Sequence, residues 1–279
     1  MKLAVLSGKG GAGKTLVAVN LAATAGRAAY IDCDVEEPNG RLFLKPEQVQ
    51  TTTVSAVRPS FDGEKCIGCR KCVEFCRFNA LVFLKKKPMV FSEVCHACGG
   101  CQLACPVGAV SETSRPIGVV ERGRRGSLEV VTGILNIGEA SGIPVIQEAQ
   151  KTGLELGEEF TVVDCPPGSA CSVMESVEAC DCCILVAEPT AFGFHNFKMV
   201  YELTRVLEKP CGVVINKEDE PYEPLEAFCR ENGLPILLRI PFSRELAGLA
   251  AQGKLISEES ETAGAMFREL LEKLRGGAV

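Results

Sequence analysis

The chain has 279 residues, of which 46% are hydrophobic and 24% charged, and its formal net charge is −6. This composition excludes a disordered, collagen-like or coiled-coil protein, and the acidic balance argues against a protein built mainly to bind nucleic acid. No apolar run in the sequence reaches the roughly 18 residues that a membrane-spanning helix needs.

Cysteine is the unusual component of the chain, which contains 16 cysteines and only 2 histidines. The N-terminal sequence lacks the long apolar core of a secretion signal, so we expect a cytoplasmic protein, in which disulfides are rare. The cysteines therefore indicate metal binding or buried thiols. A metal site made mainly of thiolates favours iron–sulfur clusters or a four-cysteine zinc site.

The first 35 residues predict a strand, a glycine-rich loop, a helix over residues 16–25 and a second strand that ends at Asp32. The loop fits the phosphate-loop pattern, in which four free positions precede Gly-Lys-Thr. Backbone N–H groups of such a loop, with the N-terminus of the following helix, bind phosphate oxygens. Lys14 is expected to reach the β- and γ-phosphates, and the Thr15 hydroxyl to bind Mg²⁺. The nucleotide-binding positions predicted in this loop are Gly8, Lys9, Gly10, Gly11, Ala12, Gly13, Lys14 and Thr15.

A cysteine-rich segment occupies residues 61–115 and contains an internal repeat. The first run of cysteines recurs 29 residues later in the sequence. The two runs are Cys66, Cys69, Cys72 and Cys76, and then Cys95, Cys98, Cys101 and Cys105. We interpret the segment as a duplicated metal-binding unit inserted into an α/β domain. The flanking parts, residues 1–60 and 116–279, should then fold together.

Apolar strand candidates return after residue 115 and alternate with helical stretches. The strand candidates are residues 160–164, 183–188, 211–216 and 235–240, and the last predicted helix covers about 261–275. Runs that are buried on both faces and alternate with helices indicate a parallel sheet covered on each side.

Lys9 gives the phosphate loop a second lysine at its start. This loop resembles the deviant phosphate loop of the MinD, ParA, Mrp and nitrogenase iron-protein ATPases, and the resemblance covers most of the chain outside the cysteine-rich segment. It implies an α/β fold with a doubly wound, mainly parallel sheet, in which two subunits sandwich two ATP molecules. It also implies that Lys9 reaches the phosphates across the subunit interface.

The same resemblance implies roles for polar residues that follow predicted strands. Asp32 and Asp34 look like switch I, in which an aspartate, here Asp34, positions the attacking water, and Asp164 looks like the Walker B and switch II segment. Helix capping or a polar turn is the alternative interpretation for Asp32 and Asp34. The residues that resemble the adenine-binding edge are Asn216, Pro241 and Phe242.

The spacing Cys-x2-Cys-x2-Cys-x3-Cys, present twice, resembles that of bacterial two-cluster ferredoxins, in which the fourth cysteine of each run binds the other cluster. Two [4Fe-4S] clusters are therefore implied. One would use Cys66, Cys69, Cys72 and Cys105, and the other Cys76, Cys95, Cys98 and Cys101. The first run departs from the pattern in one place, since Arg77 rather than proline follows Cys76. Zinc is the competing interpretation, although its usual sites pair two Cys-x2–4-Cys hairpins.

Cys171 is a further candidate ligand. It follows Asp164 by seven residues, close to where the nitrogenase iron protein places a ligand of its subunit-bridging cluster. A bridging cluster would need a second cysteine from each subunit, and residues 116–160 contain none. The cysteines that lie in or beside apolar strand candidates are interpreted as buried thiols; they are Cys182, Cys183 and Cys211.

Together these resemblances predict a MinD-superfamily ATPase with an inserted two-cluster ferredoxin domain. We expect ATP-dependent formation of a homodimer, or of a heterodimer with a paralogue. Hydrolysis would be coupled to electron transfer, or to metal-centre assembly, on a partner protein. Two alternatives remain: a positioning ATPase whose clusters are structural or redox-sensing, and an iron–sulfur cluster carrier. Nucleic-acid binding is not expected, because the net charge is acidic. Membrane binding is not expected either, since the apolar face of the last helix is explained by packing on the sheet.

Overall fold

The computed structural model describes residues 1–279, which form a large nine-stranded sheet and a separate two-stranded hairpin. The strands are β1 (Lys2–Leu6), β2 (Ala28–Asp32), β3 (Glu47–Phe61), β4 (Leu81–Leu84), β5 (Lys87–Val90), β6 (Val110–Arg125), β7 (Leu128–Leu135), β8 (Thr161–Asp164), β9 (Cys182–Ala187), β10 (Cys211–Glu218) and β11 (Ile236–Pro241).

The helices flank the large sheet or belong to the cysteine-rich segment. They are α1 (Lys14–Ala25), α2 (Gly40–Leu44), α3 (Lys71–Phe75), α4 (Gly100–Leu103), α5 (Ile143–Leu154), α6 (Cys171–Glu178), α7 (Ala191–Val206), α8 (Glu223–Glu231), α9 (Arg244–Ala251), α10 (Ile256–Glu259) and α11 (Glu261–Arg275). None of these helices is both long enough and apolar enough to cross a membrane.

The strand order of the large sheet is β11-β10-β9-β1-β8-β2-β7-β6-β3. All pairs from β11 to β7 are parallel, whereas β6 and β3 are antiparallel additions at one edge. The chain reverses its direction of travel across the sheet at β1, which lies between β8 and β9. Ligands of open α/β sheets bind beyond the carboxyl ends of the strands at such a reversal. The predicted doubly wound, mainly parallel sheet is therefore confirmed.

Two apolar cores lie on opposite faces of this sheet, because successive residues of a strand point to opposite sides. In β1, Leu3 and Val5 belong to the core shared with α1 and α11, while Ala4 and Leu6 belong to the core shared with α5, α6 and α7. The last helix has the predicted bounds and buries its apolar face in the first of these cores. The four strands predicted between residues 160 and 240 are also present, within two residues at each end.

The predicted α/β alternation after residue 115 is present, but it begins with β7 and α5 rather than with the strand that follows the cysteine-rich segment. β6 and β7 follow each other as an antiparallel pair, and β6 runs from 110 to 125 across that position. Its partner β3 was not predicted either, because most of its 15 residues are exposed and it contains no continuous apolar run. Its Thr-rich sequence has the β-branched residues of a strand, but one that faces solvent.

The cysteine-rich segment lies beyond the last pair of the β3–β6 ribbon, Phe61 with Val110. It contains α3, the β4–β5 hairpin and α4, and it contributes nothing to either apolar core of the sheet. Few of its hydrophobic side chains are buried. Between residues 62 and 109 the buried ones are Cys72, Ala80, Leu81, Cys95 and Ala109.

Candidate functional site

The predicted phosphate loop joins β1 to α1 at the carboxyl edge of the sheet. Gly11 and Gly13 have left-handed backbone conformations, with φ of 79° and 96°. Gly13 also has no room for a side chain, since a Cβ atom there would lie 2.0 Å from Nδ2 of Asn216. That Asn216 amide donates to the carbonyl of Ala12 at 2.8 Å. Asn216 therefore supports the loop through this hydrogen bond.

Lys14 of this loop is buried and bound to two carboxylates. Its Nζ lies 2.7 Å from Oδ1 of Asp164 at the end of β8, and 3.4 Å from Oδ2 of Asp34, which follows β2. Burial would lower the pKa of Lys14, but the two carboxylates outweigh it and raise this pKa above its usual range. Burial also raises the pKa of Asp34, and Lys14 offsets only part of that effect. The structure thus brings together three of the predicted nucleotide-site residues.

Tyr30 belongs to the same buried network and was missed in the sequence. Its hydroxyl lies 2.9 Å from Oδ2 of Asp164 and 3.3 Å from Oδ2 of Asp32. Asp32 is fully buried and accepts hydrogen bonds from the backbone N–H groups of Asp34 and Gly40. Burial and the nearby Asp164 raise the pKa of Asp32 well above its usual range. The sequence does contain a signal for this network, since Tyr30 stands in a mainly aliphatic strand and a buried tyrosine hydroxyl needs a polar partner.

An open cleft lies over the phosphate loop. Its walls include Asp34, Phe43 and residues 250–253, together with Lys14 and Thr15. Pro241 and Phe242 do not line this cleft. Both are exposed at the end of β11, where the N–H of Phe242 donates to the carbonyl of Glu218.

Lys9 lines the edge of the same cleft, and its ammonium group is bound by residues of its own chain. Its Nζ lies 2.5 Å from Oε2 of Glu188, at the end of β9, and 5.1 Å from the ring centroid of Phe192 in α7. A cation held by a carboxylate and an aromatic face is stabilised by both. Sequence patterns do not reveal Glu188 and Phe192 as partners of Lys9, because they lie about 180 residues away along the chain.

The eight cysteines of the repeat line two separate cavities. We name each cavity after one of its cysteines. The Cys66 cavity is lined by Cys66, Cys69, Cys72 and Cys105. The Cys95 cavity is lined by Cys76, Cys95, Cys98 and Cys101. Each cavity thus takes three thiols from one run and the fourth from the other, which is the grouping that the ferredoxin resemblance implies.

The donor atoms around both cavities suit iron–sulfur clusters. All eight thiols are free, and four-iron clusters of this kind are held by four thiolates. The backbone N–H of Ala109 donates to Sγ of Cys105 at 3.2 Å. Although burial opposes it, several backbone N–H groups around this thiol lower the pKa of Cys105, which favours its thiolate. No three His, Cys, Asp or Glu side chains converge closely enough to hold a single metal ion.

The remaining cysteines are distributed through the sheet domain. Cys182 and Cys183 are buried in β9 and Cys211 is half-buried at the start of β10, in agreement with the buried-thiol interpretation. Cys171 is exposed at the first residue of α6. Its place beyond the carboxyl end of β8 leaves its thiol open to solvent.

An ion-pair cluster connects the Cys95 cavity with the sheet. Arg58 of β3 lines the cavity, donates through Nη1 to the carbonyl of Cys95 at 2.8 Å, and pairs through Nη2 with Glu139 at 2.9 Å. Arg115 of β6 binds the other carboxylate oxygen of Glu139. Sequence reasoning missed this cluster, because its members are separated by up to 81 positions.

Fold and phosphate loop together define a P-loop nucleotide-binding protein. Residues 3–256 match the family CbiA, described as "CobQ/CobB/MinD/ParA nucleotide binding domain". The chain therefore belongs to this family, as its deviant phosphate loop indicated. Among solved structures, it is similar to the septum site-determining protein MinD with Mg-ADP from Pyrococcus horikoshii. That similarity has a TM-score of 0.62 and 17% identity, and it covers 98% of this chain and 94% of that one.

Two relatives from Methanocaldococcus jannaschii match the chain over different lengths. Uncharacterized protein MJ0578 is 26% identical over 280 residues, which is 99% of this chain and 96% of that protein. Uncharacterized ferredoxin MJ0722 is 36% identical over 59 residues, which is 20% of this chain and 77% of that ferredoxin. The predicted combination of a MinD/ParA-type nucleotide-binding domain with a ferredoxin-like insertion is therefore confirmed.

Proposed function

We propose that this protein is an iron–sulfur ATPase. ATP-dependent dimerisation and hydrolysis would be coupled to electron transfer, or to metal-centre assembly, on a partner protein in the cytoplasm. One observation carries the proposal: two cavities, each lined by four thiols, lie at the end of a ribbon whose strands belong to the same sheet as the phosphate loop. A movement at the nucleotide site therefore has a continuous hydrogen-bonded route toward the thiols.

The nucleotide would bind in the cleft above the phosphate loop. Backbone N–H groups of residues 8–15 would hold the phosphates, Thr15 and Asp164 would hold Mg²⁺ directly or through water, and Asp34 would orient the attacking water. Lys14 is held in the cleft by Asp164 and Asp34, and a bound γ-phosphate would compete with these carboxylates for its ammonium group. The adenine ring is proposed to extend beyond the residues that line this cleft, toward Asn216, Pro241 and Phe242.

Lys9 is proposed to act on the nucleotide of a second subunit, in a homodimer or in a heterodimer with a paralogue. In the single chain it is paired with Glu188 and packed on Phe192, so dimerisation would have to exchange these contacts for phosphate oxygens. A cation placed beside the transferred phosphoryl group stabilises its developing negative charge.

The two [4Fe-4S] clusters are proposed to occupy the Cys66 and Cys95 cavities with the crossed ligand sets described above. The insertion would cover residues 61–115, between ATPase parts 1–60 and 116–279. When bound, the clusters would supply one-electron chemistry. The chain supplies the thiolates and the N–H donors around Cys105, which favour a negatively charged sulfur.

The cluster part of the proposal is tested by anaerobic iron and acid-labile sulfide analysis, which should give about eight of each per chain. Cys66→Ser and Cys105→Ser should then damage the same cluster, as followed by electron paramagnetic resonance. Loss of different clusters in these two variants would contradict the crossed pairing.

The nucleotide part is tested by sedimentation with ATP and Mg²⁺ under conditions that slow hydrolysis, which should shift the wild-type protein to a dimer. Lys9→Ala should bind ATP but remain monomeric and lose hydrolysis. Lys198→Ala is the matched control, since Lys198 also lies over an α7 aromatic ring but is outside the phosphate loop. Unchanged turnover in Lys9→Ala would remove its role across the interface.

A further inference from the structure

Arg58 is a buried cation at the wall of the Cys95 cavity. The residue is 6% exposed, and its Nη1 donates to the carbonyl of Cys95, one of the four cysteines of that cavity. Its Nε is buried without any hydrogen-bond partner. An orphaned N–H in a buried guanidinium is costly, so Nε of Arg58 is free to bind an acceptor. Nε of Arg115 is also buried without a partner, but Arg58 alone of the two lines the Cys95 cavity.

Glu139 connects Arg58 to the nucleotide-binding side of the sheet. Its side chain is 5% exposed and lies in residues 136–142, the loop between β7 and α5. Both ends of that loop pack on Val35, the residue after Asp34. The N–H of Leu135 donates to the Val35 carbonyl at 2.9 Å, and Gly142 approaches Val35 so closely that a Cβ would lie 2.6 Å from its Cγ2.

We propose that Arg58 is a positioning residue that sets the reduction potential of the cluster in the Cys95 cavity and connects that cluster, through Glu139, to the Asp34–Val35 segment. This inference rests on the proposed function, since it assumes that the cavity holds a cluster. The acceptor for the orphaned Nε–H would be a sulfur of that cluster. The Cys66 cavity has no contact with Arg58.

The sign of the effect follows from charge. A reduced cluster carries one more negative charge than the oxidised cluster, and a nearby guanidinium stabilises the reduced form and raises the reduction potential. Glu139 partly neutralises Arg58, so a shift of the loop that moves Glu139 would change the field at the cluster. Movement of the Asp34–Val35 segment on ATP binding is the event that would shift this loop.

The test is an anaerobic redox titration of the full-length protein, followed by electron paramagnetic resonance, with ADP·Mg²⁺ and with ATP·Mg²⁺. Cys66→Ser, which removes the other cluster, assigns the signals. Arg58→Gln should lower the reduction potential of the Cys95-cavity cluster by about 59 mV, which for one electron corresponds to a change of about tenfold in the reduction equilibrium. Glu139→Gln should raise it, and the Cys66-cavity cluster should not change in either variant.

Two further variants separate charge from structure. Arg58→Lys should restore most of the potential, because it keeps the positive charge. Arg115→Gln is the matched control, since Arg115 also binds Glu139 but is 41% exposed and does not line the cavity, so it should shift the potential much less. Any difference in potential between the two nucleotides should be lost in Arg58→Gln at this cluster.

Unchanged potentials in Arg58→Gln with full iron content would overturn the inference and leave the proposed function standing. An equal shift in Arg115→Gln would overturn it as well. If Arg58→Gln does not retain iron, Glu139→Gln decides, and a potential that does not rise there would contradict the inference. A wild-type protein that binds no iron would instead remove the iron–sulfur part of the proposed function.

Discussion

The nucleotide site and the cysteine-rich segment differ in how far their polar groups are paired with other groups of the chain. At the phosphate loop, Lys14 is neutralised by Asp164 and Asp34, and Asn216 supports the loop from a third strand. In the cysteine-rich segment, eight thiols face two cavities, and few hydrophobic side chains are buried. Contacts within the chain therefore hold the first site together. The second has little apolar core of its own, and we expect bound clusters to stabilise it.

Removal of both clusters should therefore unfold residues 62–109 and leave the large sheet folded. A segment of this size, 48 residues, with little apolar core needs metal or disulfides to be stable. Hydrogen exchange on iron-free protein should show loss of amide protection across α3, the β4–β5 hairpin and α4, while β1, β8 and β9 keep theirs. Cys171→Ser serves as the control, because it should retain iron and protection. Full protection of the segment without iron would contradict the comparison.

Lys14→Ala should give the second largest effect, because it leaves the buried Asp164 carboxylate without its cation. Loss of one partner of a buried ion pair costs about 3–5 kcal/mol of unfolding free energy. Tight ATP binding should be lost in the same variant.

Denaturant titration at pH 7 and ATP-binding isotherms measure the two effects of Lys14→Ala. Lys254→Ala is the control, since it breaks an exposed pair with Glu259 that contributes at most about 1 kcal/mol. If Lys14→Ala is as stable as Lys254→Ala, the nucleotide site does not depend on this internal neutralisation.

Asp34 should give the smallest effect, a dependence of stability on pH. Burial raises its pKa above the ordinary value of 3.8 in the folded chain, so the folded state binds the proton more tightly than the unfolded state. Its contribution to the free energy of unfolding therefore falls as pH rises from 3.8 through the raised pKa, and is constant above it. Asp34→Asn should remove this fall.

The pH dependence is measured by denaturant titration of iron-free protein, followed by a probe in the large sheet. Glu258→Gln is a control of opposite sign, since a hydrogen bond from Arg125 lowers the pKa of Glu258 in the folded chain. The stabilisation from Glu258 is complete above its ordinary pKa of 4.5 and is lost as pH falls through the lowered pKa. If Asp34→Asn has the same pH dependence of stability as the wild-type protein, the pKa of Asp34 is not raised in the folded chain.

Local sequence patterns predicted the parts of the molecule that depend on local structure. The phosphate loop, the strands between 160 and 240 and the last helix follow from glycine spacing, apolar runs and helical periodicity. The exposed strand β3 has none of these signals, so the antiparallel edge of the sheet was missed. Tyr30, Glu188 and Arg58 were missed for a different reason, since their partners are distant in sequence and are brought together only by the sheet order.

Coupling between nucleotide and clusters is the central claim, and a redox titration of the wild-type protein tests it most directly. Both potentials are measured with ADP·Mg²⁺ and with ATP·Mg²⁺, and ATP affinity is measured in the oxidised and the reduced protein. Linkage requires reciprocal effects, and a typical coupling of about 1–3 kcal/mol would change ATP affinity by roughly 5–150-fold. We predict different potentials with the two nucleotides and a matching change in affinity. Identical potentials and identical affinities would contradict the account.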